Sequence, residues 1–396
     1  MRMQLNHTTN DLPLSAVTQE HLTPGSFSKG LLGAALTLPL LAGLCNVAKA
    51  DSAPEKGLVS FKYLDYLDSQ PGFDRIKVKA PSVLVMKPLS SEWSVSGTAT
   101  TDTISGASPA YHTQALRNMH DQRHAFDLSF TKFESFGTKT FGGSYSKELD
   151  YLSRGLFYSL TSSTEDKNTT WNAGLSLSSD QINPTNQIVT NETKQGTDLI
   201  AGLTRVYTKV DIAQYQIGHY SGKGYFSDPY KIFDRRPRER VHNTFMAKWN
   251  HYLEESESTI KLSYRYYSDD WGIEAHTADI EYVKPLQNGW TLTPAFRIYT
   301  QSSAKFFVNA DNSGSPFPPN PPAGAVNYSE DQRMSAFGAH TLGLKVSKAI
   351  DLNTSIDFKV EGYAQRAGWR LMGSGSPGMD PFSARSIQVG FNHYFD

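Results

Sequence analysis

Residues 259–267 read TIKLSYRYY, and their side chains change character at every second position. Successive side chains of a β-strand point to opposite sides, so this segment has one apolar and one polar face. The two faces consist of Ile260, Leu262, Tyr264 and Tyr266 on one side and of Lys261, Ser263, Arg265 and Tyr267 on the other. Residues 352–362 and 384–395 alternate in the same way. A polar face that persists along the chain must meet water or an ionic interior, while the apolar face meets lipid or a core.

Strand-like segments of this kind follow one another from residue 57 to the C-terminus. We count roughly sixteen, within a range of about 14 to 18. Most have about the length that a tilted strand needs to cross the hydrocarbon of a membrane. The predicted strands are residues 57–67, 74–87, 92–103, 123–134, 137–147, 150–161, 169–179, 197–209, 211–220, 241–252, 258–268, 274–286, 290–302, 335–347, 351–366 and 384–395.

The connections between these segments alternate in length. One series is short throughout, at residues 88–91, 135–136, 162–168, 210, 253–257, 286–289 and 348–350. The other series has short members at 148–149 and 269–273 and long ones at 104–122, 180–196, 221–240, 303–334 and 367–383. Outer-membrane barrels sort their loops by side in this way. The sequence therefore predicts an all-β protein: a single antiparallel transmembrane β-barrel with short periplasmic turns and longer extracellular loops.

The N-terminal region predicts export from the cytoplasm. Lys29 precedes the apolar run 30–44, and the small-residue motif AKA follows at 48–50, which together form a secretory signal. The run is shorter than the roughly 20 residues that a membrane-spanning helix needs. We expect residues 1–50 to be an N-terminal extension plus cleaved signal, and residues 51–396 to be the barrel domain.

Composition excludes several classes of function. Cys45 is the only cysteine and lies within the predicted signal, so the mature protein has no disulfide, thiol nucleophile or cysteine metal site. The formal net charge of -1 argues against a general nucleic-acid binder. Phosphate-binding glycine motifs, zinc signatures and the G-x-S-x-G nucleophile elbow do not occur. We therefore expect no cofactor, no metal and no enzymatic activity.

Charged residues on the polar faces are candidates for lining a lumen. These residues are Lys261, Arg265, Arg297, Asp357, Lys359 and Glu361. Inside a barrel, opposite charges pair across strands and line a polar channel. Such a mixed lining favours weak charge selectivity or a plugged interior.

Two loop segments are candidates for binding or gating. The loop 221–240 contains the candidate cations Lys231, Arg235, Arg236, Arg238 and Arg240. They either bind lipopolysaccharide phosphates and steer anions, or pair with acids of their own loop and of the lumen; charge clusters favour the second reading. Ser105 and Ser108 lie in a predicted turn or constriction. Nearby, His112, His120 and His124 lack the spacing of a metal site, and Trp271 is expected to anchor a hairpin at the membrane interface.

Five stretches resemble the uncharacterised bacterial outer-membrane family known as domain of unknown function 3570. They are residues 67–88, 102–109 (DTISGASP) with 119–125 (MHDQRHA), 164–171 (TEDKNTTW), 262–277 (LSYRYYSDDWGIEAHT) and 334–344 (MSAFGAHTLGL). The resemblance spans nearly the whole predicted mature chain. It implies a β-barrel and no established activity.

The favoured function is a porin-like channel or export conduit for a small polar solute or product, in the outer membrane of a Gram-negative bacterium. Loops 104–122, 221–240 and 303–334 would gate it. An alternative is a structural or assembly protein that scaffolds a partner, and a hydrolase that uses residues 112–124 is less favoured. Expected partners are outer-membrane lipid, lipopolysaccharide and the barrel-assembly machinery, without nucleic acid. A homo-oligomer is left open.

Overall fold

The computed structural model describes residues 52–107, 118–231, 233–309 and 324–396. Sixteen strands form one closed antiparallel barrel, and two short strands, β10 and β15, pair with each other in the loops. The strands are β1 Gly57–Gln70, β2 Phe73–Pro88, β3 Trp93–Ala107, β4 Asn118–Glu134, β5 Gly137–Lys147, β6 Tyr151–Ser163, β7 Thr169–Ile182, β8 Glu192–Val206, β9 Asp211–Gly224, β10 Asp234–Arg235, β11 Glu239–Leu253, β12 Ser258–Asp269, β13 Glu274–Pro285, β14 Trp290–Gln301, β15 Tyr328–Ser329, β16 Phe337–Ala349, β17 Thr354–Arg366 and β18 Phe382–Phe395. Within the described ranges, no helix is long and apolar enough to cross a membrane.

Each predicted strand corresponds to one barrel strand, so the predicted count of sixteen and the antiparallel class are confirmed. β5 has the predicted bounds, whereas β4 begins at Asn118 and β8 at Glu192, both earlier than predicted. The extra residues lie at the external ends of these strands. The added residues, NMHDQ at 118–122 and ETKQG at 192–196, are mostly polar, which suits a strand that rises above the lipid, where the hydrophobic alternation ends. The predicted signal at 1–50 lies outside the described residues.

The first and last strands close the barrel. β1 pairs with β18 from Gly57 opposite Phe395 to Ser69 opposite Ser383. The aromatic C-terminal strand is therefore a full member of the wall. Because the wall closes on itself, each barrel strand has a partner on both sides, and no row of unpaired amides faces the hydrocarbon.

The outer surface of the barrel is apolar and carries an aromatic girdle. Exposed outward side chains include Phe61, Val83, Phe126, Leu156, Leu177, Ile217, Phe245, Phe296, Leu344, Phe358 and Val389. Four of the six tryptophans lie near the periplasmic ends of their strands, namely Trp93, Trp171, Trp249 and Trp290. Tryptophan prefers the boundary between lipid and water. The girdle therefore marks the periplasmic edge of the hydrocarbon.

The inner surface has two parts that differ in their prevailing side chains, although the ion-paired residues Asp102, Arg123 and Asp180 lie on β3, β4 and β7. From β2 to β7 it is rich in small hydroxyl side chains that pair across strands: Ser82 with Thr100, Thr131 with Thr140, Thr138 with Thr161 and Ser163 with Thr170, at 2.7–2.9 Å. From β11 to β18, the inward positions carry Lys, Arg, Asp, Glu and Tyr. An apolar patch of Leu64, Ile76, Val78 and Ala80 separates the two parts at β1 and β2.

We predict that Gly137→Ala destabilises the barrel. A Cβ at Gly137 would overlap the main-chain carbonyl of Thr161 on the neighbouring strand β6, whereas a Cβ at Gly362 would meet nothing within 4 Å. Overpacking of this kind costs about 1–3 kcal/mol. The temperature at which the folded band shifts in SDS gel electrophoresis should fall for Gly137→Ala and stay unchanged for the control, Gly362→Ala. Equal transition temperatures for the two variants would show that the wall tolerates the side chain.

Candidate functional site

The six charged residues predicted to line the lumen all occupy inward positions of β12, β14 and β17. They are Lys261, Arg265, Arg297, Asp357, Lys359 and Glu361. Their sequence neighbours are exposed on the outer surface, as Leu262, Tyr264, Phe296, Ile356 and Phe358 show. Side chains of a strand alternate between faces, so the charged residues point inward.

The charges of this wall form compensated pairs. Lys359 Nζ lies 2.7 Å from Glu361 Oε1 on the same strand. Arg297 on β14 pairs with Asp279 on β13, and the hydroxyl of Ser263 on β12 donates to the same carboxylate at 3.0 Å. Three neighbouring strands are thus joined by one polar network, and its net charge is small.

The remaining charged positions continue the pattern around the barrel. Lys261 lies opposite Glu281 in the register of β12 and β13. Asp357 lies against Gly390 on β18, where a side chain would collide with its carboxylate, and within electrostatic range of Lys62 on β1. The charged band therefore extends from β12 to β17, and Asp357 continues it over Gly390 of β18 toward Lys62 on β1.

At the external end, two loops that are far apart in sequence are joined. The strands β10 and β15 pair Asp234 with Ser329 and Arg235 with Tyr328. This ladder joins the loop between β9 and β11 to the loop between β14 and β16, and brings charges of both loops into one buried group. We call this group the mouth cluster: Asp228, Lys231, Asp234, Arg236, Asp331 and Arg333.

Asp331 is the centre of the mouth cluster. Its fully buried carboxylate lies 2.7 Å from Arg236 Nη2 and 3.4 Å from Lys231 Nζ, and it also pairs with Arg333. Burial alone would raise the pKa of Asp331, but Arg333, Lys231 and Arg236 together hold that pKa well below its usual range. The carboxylate is therefore ionised at neutral pH, and its ion pairs hold the two loops together.

The basic loop is mostly engaged in pairing with carboxylates. Arg236 and Lys231 belong to the mouth cluster, and Arg238 donates two hydrogen bonds to Glu192 at 2.5 and 2.7 Å. Arg240 is buried and pairs with Asp269 at 2.5 Å. Arg235 is exposed. Four of the five candidate cations thus have structural partners, which agrees with the interpretation that the sequence favoured.

A small apolar core lies beside the mouth cluster. It consists of Phe226, Trp271, Ile273, Ala304 and Met334. Trp271 is only 3% exposed, donates from Nε1 to the carbonyl of Glu239 at 2.9 Å, and lies 4.3 Å from the guanidinium of Arg240. The expectation that Trp271 anchors at the membrane interface is therefore wrong. Loop residues cover its ring and keep it from lipid.

The serine candidates do not come together in a site. Ser105 belongs to β3, which extends to Ala107, so it lies in the barrel wall and not in a turn. In the register of β3 and β4 it faces His120. Ser108 and His112 lie outside the described residues.

Sequence reasoning missed two clusters of acidic residues. The first centres on Asp331, and the only sequence signal is the charged run EDQR at 330–333. The second brings Asp121, Glu148 and Asp150 to the external rim, with carboxylate oxygens within 4.8 Å of one another. Oxygen ligands of this kind suit a hard divalent cation. Asp150 already accepts a hydrogen bond from Tyr230, so the trio also ties the loop after β9 to the rim.

A closed sixteen-stranded barrel with a lipid-facing apolar belt, a polar interior and long loops on one side is an outer-membrane β-barrel protein. The match over residues 110–386 to the family described as "Protein of unknown function (DUF3570)" identifies it further. The chain belongs to this family. No protein with a curated description matches the sequence significantly.

Solved structures of similar shape are also outer-membrane barrels. The chain resembles a bacterial polysaccharide outer membrane secretin with a TM-score of 0.50 and 8% identity, over 86% of this chain and 97% of that one. OccD3 (OpdP) of Pseudomonas aeruginosa matches with a TM-score of 0.43 and 11% identity, over 89% and 96%. The siderophore receptor PirA of the same species reaches 0.42 and 9%, over 87% and 81%. At these identities the likeness concerns the fold alone.

We predict that Asp331→Asn opens the mouth. Removing one partner of a buried ion pair costs on the order of 3–5 kcal/mol, and the two loops should separate more often. Trypsin cleavage after Lys231 and Arg235, followed by mass spectrometry, should accelerate at least about tenfold. The control Glu192→Gln removes the exposed pair with Arg238 and should change these rates less than about twofold. Equal rates in the two variants would contradict the central role of Asp331.

We also predict that the mouth loosens as the pH rises. Burial raises the pKa of Glu330 to about 7, with Lys231 opposing the rise and Asp234 adding to it. In the closed mouth Glu330 therefore keeps a proton that it releases when the loop opens. The stabilisation of the closed mouth by this proton is complete below about pH 4.5 and is lost as the pH rises through about 7.

Hydrogen exchange of the amides in 225–231 and 324–336, corrected for intrinsic rates, measures this loosening. Exchange should be faster at pH 8 than at pH 5.5 in the native protein, and the difference should vanish in Glu330→Gln. Asp331 does not interfere, because its lowered pKa places its own titration below this window. A pH effect that survives Glu330→Gln would assign it to another group.

Proposed function

We propose that this protein is a non-enzymatic channel of the Gram-negative outer membrane, through which a small polar solute enters or a product leaves. The observation that carries the proposal is the contrast between the two surfaces of the wall. The outer face is apolar, whereas inward residues such as Lys261, Arg265, Glu281, Arg297 and Lys345 remain partly exposed. Charged side chains in contact with water inside a barrel form a hydrophilic path.

The lining favours solutes without a large net charge. Its cations and anions are paired, as in Lys359 with Glu361 and Arg297 with Asp279. A paired lining offers hydrogen bonds to a passing solute but produces little net field along the axis. On the opposite wall, hydroxyl side chains offer further hydrogen bonds without charge.

The external loops supply the gate in this proposal. The loops 225–238 and 302–336 are fastened to each other by the mouth cluster, and Tyr230 extends the contact to Asp150 on the far rim. Entry then depends on how often these loops part. Arg235 is exposed and is placed to meet an anionic solute or the phosphates of lipopolysaccharide, whereas the exposed Arg238 would first have to leave Glu192. Ser105, at the external end of β3, belongs to the adjoining rim, and Ser108 stays a sequence-based candidate for the same gate.

The membrane partners follow from the same surfaces. We propose that the apolar belt contacts outer-membrane lipid and that the external rim contacts lipopolysaccharide. Insertion would use the barrel-assembly machinery, with the aromatic strand β18 as the terminal strand. A homo-oligomer is compatible with the proposal and is not required by it.

We predict that the purified, folded protein conducts ions in planar lipid bilayers. Lys261→Glu changes the lumen charge by two units and should raise the preference for cations by about twofold. The control Lys348→Glu makes the same change on the outer face, where Lys348 Nζ lies 5.2 Å from the Trp290 ring, and should leave the selectivity unchanged. Conductance that stays at the bilayer background in repeated preparations would contradict the open-channel proposal.

A further inference from the structure

Four inward tyrosines near the external end of the barrel repeat one local arrangement. Each lies two residues before an Asp or Gln on its own strand, and each donates its hydroxyl to that side chain. The pairs are Tyr66 with Asp68 at 3.1 Å, Tyr267 with Asp269 at 2.9 Å, Tyr299 with Gln301 at 2.5 Å and Tyr363 with Gln365 at 2.8 Å. We call these four tyrosines the tyrosine arc.

The tyrosine arc is continuous along the inner wall. Its members lie on β12, β14, β17 and β1, which are separated from one another by single strands of the barrel. Tyr299 lies within electrostatic range of Tyr267 and of Tyr363, and Tyr363 within range of Tyr66. The four rings thus form a track around nearly half of the circumference, directly below the mouth.

The strands between the tyrosines carry alanines at the same level. Tyr267 faces Ala275, Tyr299 faces Ala339 and Tyr363 faces Ala384. Ala275 and Ala339 point inward, yet they are only 5% and 1% exposed, so larger neighbours cover them. These small residues leave room at the wall for the rings of Tyr267, Tyr299 and Tyr363, whereas Tyr66 lies between Val78 and Ser386 in the register. The tyrosines themselves remain partly exposed.

The chemistry around the arc suits a hydroxylated ring. Fixing each hydroxyl to an Asp or Gln orients the ring and places its apolar carbons beside polar groups. At Tyr267, the guanidinium groups of Arg240 and Arg265 lie 5.9 and 6.0 Å from the ring centre. Below the arc, the paired side chains Arg297 with Asp279 and Lys359 with Glu361 offer adjacent donors and acceptors without net charge. A sugar has a C–H face for stacking and neighbouring hydroxyls for such pairs.

We propose that the tyrosine arc is a binding track for a neutral saccharide of two or more units. The inference rests on the proposed channel function for its biological use, but binding itself does not need an open pore. A strongly charged solute would gain little from a compensated lining. A purely apolar solute would leave the paired charges and the hydroxyl wall without hydrogen bonds.

The rings also pack against the wall, which supplies the competing structural explanation. Tyr299 lies 5.6 Å from Phe337 and Tyr363 lies 6.0 Å from Phe382, measured between ring centres. If packing against the wall were the only role of these tyrosines, removing a ring would change the stability of the barrel and leave solute affinity unchanged. A test must therefore read binding and folding separately.

The first experiment measures binding by calorimetry with the folded protein in detergent. The probes are maltotetraose, cellotetraose, chitotetraose and, as a flat aromatic solute, adenosine. We expect at least one tetrasaccharide to bind, with affinity reduced about tenfold in Tyr299→Leu or Tyr363→Leu and kept within about threefold in Tyr299→Phe, which retains the ring. Binding of none of the tetrasaccharides, or of adenosine alone, overturns the proposal.

The matched control is Tyr151→Leu. Tyr151 lies on β6, outside the arc, but it too donates its hydroxyl to a carboxylate, that of Asp180, and accepts from Lys194 at 2.9 Å. It should lower stability as the arc variants do and leave saccharide affinity unchanged. An equal loss of affinity in Tyr151→Leu would assign the effect to the fold.

If the leucine variants do not fold, Ala384→Leu is a second test, because it fills a position beside Tyr363 without removing a ring. Unchanged saccharide affinity in Ala384→Leu overturns the proposed binding track.

The second experiment separates this inference from the channel proposal. Tetrasaccharide is added to the protein in a planar bilayer, and the ion current is recorded. Current without block and without calorimetric binding leaves the channel standing and removes the saccharide track. Calorimetric binding that depends on the arc, in a protein that carries no current, supports the track and removes the channel.

Discussion

Satisfying the backbone amides without water is the constraint on which this structure depends. In hydrocarbon an unpaired N–H or C=O group costs several kcal/mol, so strands can cross only as a closed wall. The pairing of β1 with β18 meets this condition, with Gly57 opposite Phe395 at one end and Ser69 opposite Ser383 at the other. Closure then forces every strand to divide its side chains between lipid and lumen. The polar interior, the apolar belt and the track of tyrosines are all consequences of that division.

The same constraint explains why so much of the fold is readable in the sequence. A wall with lipid on one side and water on the other imposes a period of two on the sequence, and TIKLSYRYY at 259–267 shows it plainly. The pattern ends where strands leave the lipid, which is why the beginnings of β4 and β8 were predicted too late. The inward direction of Lys261 and Arg297 follows from the same alternation. Contacts between loops do not, because nothing periodic connects Arg236 with Asp331.

The candidate site is therefore predictable in its lining and unpredictable in its mouth. The sequence favoured pairing of the loop cations with acids but did not identify the partners, and Arg236 and Arg240 prove to be buried against Asp331 and Asp269. The tyrosine arc escaped notice for a different reason. Its motif, a tyrosine followed two residues later by Asp or Gln, is short and common. It acquires meaning only when the barrel brings four copies to one level.

The joining of two distant loops in the mouth also has a consequence for the order of assembly. Arg236 and Asp331 are separated by 95 positions, and β11, β12, β13 and β14 lie between them. Closing so long a segment costs entropy that only a formed stretch of wall can offset. The mouth should therefore be among the last parts of the molecule to form. A closed mouth therefore indicates a barrel whose hairpins are already in register. During assembly, the lumen stays open at its external end until the wall has formed.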